Sequence, residues 1–285
     1  MKSNQTYKLA FSSCPNDTFI FKAIARQLID LHGYCFDIVL EDVETLNQRA
    51  AKGTYDITKL SFAAFGSLAQ TYALLRTGSA LGLGCGPLII SLPGRSLDDK
   101  TKPVIAVPGM GTTAYHLFRL YVDDKFIDME ASIIPMPFEK IMPAVIEKKV
   151  DFGVIIHEGR FVYPDMGLEL KADLGLWWED KTFLPIPLGC IAIKRDIDPA
   201  IACDIQKLIG QSIDHAFLNP SMAYDYIQTH AQELDEDVIQ QHIGLYVNNF
   251  SKDIGEKGEA AITTFFKKAR ASGLIKNFES SLFAC

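Results

Sequence analysis

Tyr7-Lys8-Leu9-Ala10-Phe11-Ser12-Ser13-Cys14-Pro15-Asn16-Asp17-Thr18-Phe19-Ile20 carries three structural signals in a row. Residues 7–11 have the aromatic and apolar character of a short strand. Ser12 to Asp17 is a polar turn. From Phe19 onward, Ile20, Phe21, Ile24, Ala25, Leu28 and Ile29 recur at the spacing of one helix face. Asn16 or Asp17 is placed to cap that helix. A strand that passes through a polar turn straight into a helix opens a βαβ unit.

The same alternation continues outward. A second strand covers Cys35 to Leu40, and a short helix over 43–51 ends before Gly53. Tyr55 to Leu60 is a third strand, and Ser61 starts another helix. Ala80 to Leu92 is apolar and glycine-rich, as one buried strand would be. After Pro93-Gly94 the pattern begins again. Residues 103–107 form a strand, Pro108-Gly109-Met110-Gly111-Thr112-Thr113 a turn, and about 114–122 a helix. Ser132 to Ile134 is a short strand, and Ile141, Met142, Val145 and Ile146 mark a helical face. Val150 to Ile156 is a strand ending at His157. A loop-rich region with Trp177 and Trp178 leads to a strand at Leu188 to Ile193. Beyond Asp198 the chain is mostly helical.

Each half places a helix before an Asp-led strand, Tyr55-Asp56-Ile57 in one and Val150-Asp151-Phe152 in the other. Their identity is low, so this is an echo of architecture. It predicts an α/β fold with largely parallel sheets in two similar lobes. Lobe one would hold 1–95 plus 190–285, with the helical C-terminal region, and lobe two 96–189. The chain would cross near 93–102 and return near 183–195, and two crossings make a hinge.

Composition narrows the function. The 285 residues suggest about two domains. With 48% hydrophobic and 22% charged residues, two modest cores can form. A net charge of −7 argues against nucleic acid, whose phosphates need clustered Lys and Arg. The first residues lack a basic segment followed by an apolar stretch, so no secretory signal is expected. No run approaches a membrane span, and a cytoplasmic location follows as an expectation. The six cysteines form no CxxC pair and read as reduced thiols. There is no HxxxH metal spacing and no GxSxG elbow. Gly82, Gly84 and Gly86 fit neither dinucleotide nor P-loop spacing; they read as strand packed closely on backbone.

In open α/β sheets, ligands sit beyond the carboxyl ends of the strands. Those ends carry Ser12, Ser13, Asn16, Asp17 and Thr18, then Lys59, Leu60 and Ser61. In the second half they carry Gly109, Gly111, Thr112, Thr113 and His157. Unpaired N–H groups at a helix start favour an anion. Thr112 and Thr113 would add hydroxyls, and Gly109 and Gly111 would let backbone come close. Ordinary N-capping explains the same residues. A small anionic molecule in the cleft is the functional alternative. His157 suits general acid–base work, and it equally suits a hydrogen-bonded strand end. Arg160 and Lys59 are candidate cations for a substrate carboxylate, or structural. Trp177 and Trp178 could stack on a flat ring or pack at the hinge. His32, His116, His215, His230 and His242 fall in or beside helical patterns and receive no role.

Five segments in order carry a family resemblance: Ser13-Cys14-Pro15-Asn16-Asp17-Thr18-Phe19, Glu41-Asp42-Val43-Glu44-Thr45-Leu46-Asn47, Thr58-Lys59-Leu60-Ser61, Gly84-Cys85-Gly86-Pro87-Leu88 and Ile155-Ile156-His157-Glu158-Gly159-Arg160-Phe161. With Tyr246-Val247-Asn248 they cover nearly the whole chain. The sequence resembles the 1,4-dihydroxy-6-naphthoate synthase family of the futalosine route to menaquinone. The resemblance implies a periplasmic-binding-protein type II fold and a lyase acting on cyclic dehypoxanthinyl futalosine. It implies His157 as proton acceptor, with substrate at Lys59, Leu60, Ser61, Thr113 and Ala114, and no cofactor. Ser13 stands where the family usually has proline, which would loosen that turn. A cytosolic small-acid binder or sensor and the sister enzyme chorismate dehydratase are the competing possibilities.

Overall fold

A computed structural model describes residues 5–97, 102–125, 132–230 and 235–285. In the first half β1 (Thr6–Phe11), α1 (Pro15–Ala25), β2 (Cys35–Leu40), α2 (Val43–Ala50), β3 (Ile57–Ser61), α3 (Phe62–Leu68), β4 (Tyr72–Leu74) and β5 (Ala80–Gly82) follow one another. The chain continues through β6 (Leu88–Ser91), β7 (Val104–Val107), α4 (Thr113–Asp124), β8 (Ser132–Pro135), α5 (Ile141–Ile146), β9 (Phe152–Ile155), α6 (Gly159–Val162), β10 (Glu169–Asp173) and α7 (Leu174–Thr182). The remainder is β11 (Ile186–Lys194), α8 (Pro199–Leu218), α9 (Pro220–His230), α10 (Glu236–Tyr246), α11 (Asn249–Lys252) and α12 (Gly255–Ala271).

Two mixed sheets result. One has the order β2-β1-β3-β11-β4, with β5 also on β11; the other runs β10-β6-β9-β7-β8. The echo between the halves is now concrete. In each sheet the first strand, β1 or β7, lies between its two successors and parallel to both. Beyond the third strand comes an antiparallel one, β11 in one sheet and β6 in the other.

Three expectations are corrected. The sheets are not largely parallel, because β11 and β6 enter from the crossing points and run opposite to their neighbours. Ala80 to Leu92 is two strands in two different sheets, so the first crossing lies at 83–87, ahead of the expected 93–102; part of that stretch is outside the described residues. Asn16 and Asp17 do not cap α1. Pro15 opens the helix with its φ already set, Cys14 is the N-cap without a side-chain bond, and Asp17 turns inward.

The two lobes share apolar material. One cluster joins Phe62 and Phe65 of α3, Leu117 and Phe118 of α4, Trp178 of α7 and Phe265 and Phe266 of α12. A second packs β1 and β3 against α1 and α8. Each large side chain so buried contributes about 1.5–3 kcal/mol. Trp178 is fully buried and donates its indole N–H to Pro185 O at 3.0 Å, at the return crossing. Trp177 donates to Asp124 and meets Tyr121 edge-on. Both tryptophans pack, and neither reaches the cleft.

Gly86 shows the close packing expected of the glycine-rich stretch. A Cβ there would lie 2.2 Å from Gly175 Cα, and backbone cannot swing aside. Gly86→Ala should therefore destabilise the fold by about 3 kcal/mol, read as a lower urea midpoint. An unchanged midpoint would refute the contact. Among the described residues, no helix is long and apolar enough to cross a membrane.

Candidate active site

A cavity that opens to solvent lies between the lobes. Strand ends and helix starts from both sheets wall it. Ser12, Asn16, Asp17, Lys59 and Ser61 come from the first, and Thr112, Thr113, Ala114 and His157 from the second. Tyr246, at the end of α10, closes one side.

Asp17 organises the floor. Its carboxylate is fully buried and accepts from Lys59 Nζ at 2.6 Å, Ser12 Oγ at 2.6 Å and Asn16 Nδ2 at 2.8 Å. Four acceptor sites suit a carboxylate to such a donor set. The Lys59 side chain is itself only 6% exposed, so its charge is answered inside the protein.

His157 follows β9 with φ of +56°, in the left-handed region that few non-glycine residues adopt. The turn aims its ring into the cavity. Phe138 meets the ring edge-on at 5.1 Å, and Cys14 Sγ lies 3.9 Å from Nε2. Burial disfavours the imidazolium and lowers the His157 pKa to about 4; Asp17 partly offsets this, and Lys59 adds to it. At neutral pH His157 is therefore unprotonated and free to accept a proton. Burial pushes the Cys14 thiol and the Tyr246 phenol up, so both keep their hydrogens.

The start of α4 faces the same space. Thr112 is its N-cap, donating to Gly109 O at 2.7 Å and accepting from Tyr115 N at 3.3 Å. The Thr113 hydroxyl donates to Leu188 O at 2.8 Å and accepts from Ala63 N, both in the first lobe. Ser61 Oγ donates across to Gly111 O at 2.8 Å. Among the described residues, no hydrogen bond uses the backbone N–H of Thr113 or Ala114. Two open donors at a helix start, beside a lysine held by its own aspartate, suit a carboxylate.

The chain has matching relatives. A family described as menaquinone biosynthesis matches residues 7–271. The chain belongs to this family. Its relatives include the 1,4-dihydroxy-6-naphthoate synthases of Thermus thermophilus and Streptomyces coelicolor. The Thermus enzyme is 42% identical, over 98% of this chain and 99% of its own. The Streptomyces enzyme is 41% identical, over 96% of each. Among solved structures, a protein of Archaeoglobus fulgidus matches with a TM-score of 0.89 and 33% identity, over 96% of this chain and 100% of its own. The alkanesulfonate-binding protein SsuA of Xanthomonas axonopodis pv. citri, bound to MOPS, matches with a TM-score of 0.73 at 12% identity, over 95% and 94%. The last likeness shows the fold alone, and that fold is the periplasmic-binding-protein type.

Set against this menaquinone-biosynthesis fold, seven of the sequence candidates meet at the cavity: His157, Lys59, Ser61, Asn16, Thr112, Thr113 and Ala114. Two do not. Leu60 points away from it into the core, because strand neighbours alternate and Lys59 and Ser61 take the cleft side. Arg160 donates to Gly86 O at 2.8 Å and Asp173 Oδ2 at 2.6 Å, tying α6 to the crossing and to the cap of α7. The Thr112 and Thr113 hydroxyls are already engaged, so the open donors are backbone ones. Gly109, at φ +144°, admits the Glu44 side chain from the other lobe: an added Cβ would sit 2.6 Å from that carboxyl.

Sequence reasoning puts Asp17 at the cleft-facing strand end and makes it a cap candidate, gives Tyr246 only a part in the resemblance, and gives His242 no role. His242 is completely buried, against His157. The one available signal was that His242 and Tyr246 lie four apart, on one face of α10.

Proposed function

We propose that this protein is a carbon–carbon lyase that converts cyclic dehypoxanthinyl futalosine to 1,4-dihydroxy-6-naphthoate, with His157 as general base. The observation that carries this is an unprotonated histidine aimed into an interlobe cavity beside open helix-start donors. The two relatives that are over 40% identical bear the synthase name, which favours this reaction over chorismate dehydration or binding without turnover. Breaking a bond of the spirocycle aromatises a ring, so the reaction has a strong thermodynamic pull. His157 takes a proton from the departing three-carbon fragment, and the bonding electrons enter the new aromatic system. The N–H groups of Thr113 and Ala114 hold the naphthoate carboxylate, and Tyr246 supplies a phenolic donor. This scheme calls on no cofactor. All six cysteines are free thiols, which suits a reducing, cytoplasmic setting.

The test is direct. Purified protein incubated with cyclic dehypoxanthinyl futalosine should release dihydroxynaphthoate, detected by chromatography and mass spectrometry. Absence of product with a folded protein would refute the assignment.

Closure of the lobes makes a second expectation. Thr113→Val leaves Leu188 O and Ala63 N without their partner and removes a tie between lobes. KM should rise about tenfold, with kcat less affected, as for the loss of about 1.4 kcal/mol of binding. An unchanged KM would mean that closure does not depend on this hydroxyl.

A further inference from the structure

His242 lies on α10, distant in sequence from His157, yet it packs directly on that ring. The two imidazoles stack with centroids 5.9 Å apart and planes inclined by 12°. On its other side His242 rests on Tyr246, at 4.6 Å. Its hydrogen-bonding state follows from its neighbours. Asn16 Nδ2 donates to the Asp17 carboxylate, so the amide oxygen must face His242. A flipped amide would set oxygen against carboxylate. His242 Nε2 therefore carries a hydrogen and donates to Asn16 Oδ1 across 3.0 Å. Burial and the neighbouring His157 hold the ring neutral, so Nδ1 is bare.

We propose that His242 is a positioning residue for His157: its Asn16-anchored ring holds the His157 imidazole in one orientation toward the cavity and keeps water off that face. This rests on the base role proposed above. A side chain on a left-handed residue at a strand end holds a single orientation only when its surroundings over-determine it. Phe138 supplies one contact and His242 the other. The charged or titratable groups around His157 are Asp17, Lys59, Cys14 and its chain neighbour Glu158, whose carboxylate lies 3.9 Å from His242 Nδ1. His242 brings no charge of its own to this set. It acts by excluding water.

Two variants of the full chain test this, His242→Ala and His242→Phe. The alanine variant should lose about a hundredfold in kcat, the scale of a small misplacement, with KM changed less than about threefold. The phenylalanine variant keeps the flat wall and should restore kcat to within about tenfold of wild type. NMR titration of the His157 ring gives a readout that needs no turnover. Burial should place its midpoint at about 4 in the wild type. Water admitted by the alanine variant should move it up toward about 6.5, whereas phenylalanine should leave it low. An alanine variant with wild-type kcat and an unmoved midpoint overturns the proposal. So does equal loss of kcat in both variants with both midpoints unmoved. A wild type that forms no naphthoate would instead refute the reaction, and the midpoints would still decide the role of His242.

Discussion

His157→Ala should lower kcat for naphthoate formation by about 10²–10⁴-fold, the usual contribution of one general base. Substrate binding should weaken less than about tenfold, under 1.4 kcal/mol, because the helix-start donors and the Asp17–Lys59 floor stay in place. The pH profile gives an independent check. Burial holds the His157 pKa at about 4, so wild-type kcat/KM should stay flat through mildly acidic pH and fall only near pH 4. A profile that falls near pH 6.5 would mean that the ring is solvated, and full turnover in the alanine variant would remove the base role. Stability follows the same linkage. The unfolded chain takes up this proton near pH 6.5 and the folded chain only near 4. Stability is thus complete above 6.5 and is lost as pH falls between those values. His116 is lowered to about 4 by burial and contributes in the same direction, as does His242. Urea midpoints should therefore fall between pH 7 and pH 5, and less so in His157→Ala.

Asp17→Ala should cost about 3–5 kcal/mol of folding stability, the range for breaking a buried ion pair from one side. The Lys59 ammonium, 6% exposed, would lose its partner at 2.6 Å. Ser12 and Asn16 would lose an acceptor in the same step. The double variant Asp17→Asn with Lys59→Met should recover much of the loss, because an apolar replacement of both charges is often neutral. Urea denaturation at pH 7 measures both. A single-variant loss below about 1 kcal/mol, or a double variant as unstable as the single, would show that Lys59 finds solvent or another partner. Asn16 also orients His242 through this network, so Asp17→Ala should slow turnover as well.

Much of this molecule is written locally. Strand and helix differ in hydrophobic period, so Tyr7 to Ile29 and its echo from Pro103 were legible, and with them two lobes and a cleft. Strand ends are local too, which is why Lys59, Ser61, Thr113 and His157 were found. Period two would also have excluded Leu60, whose neighbours face the cleft. The remaining features depend on contacts that no window of sequence contains. β6 and β11 run antiparallel because of where the chain crosses between lobes. Arg160 turns from the cleft because folding brings Asp173 beside it. His242 looks the same in a helical pattern whether it faces water or another ring, and only the docking of α10 against α1 and β5 buries it on His157. Sequence by itself determined most of the elements and the family, and it put His157 at a strand end facing the cleft. Tertiary structure decided which polar groups are already partnered and which remain open to a ligand, because partnering is a property of space and not of spacing.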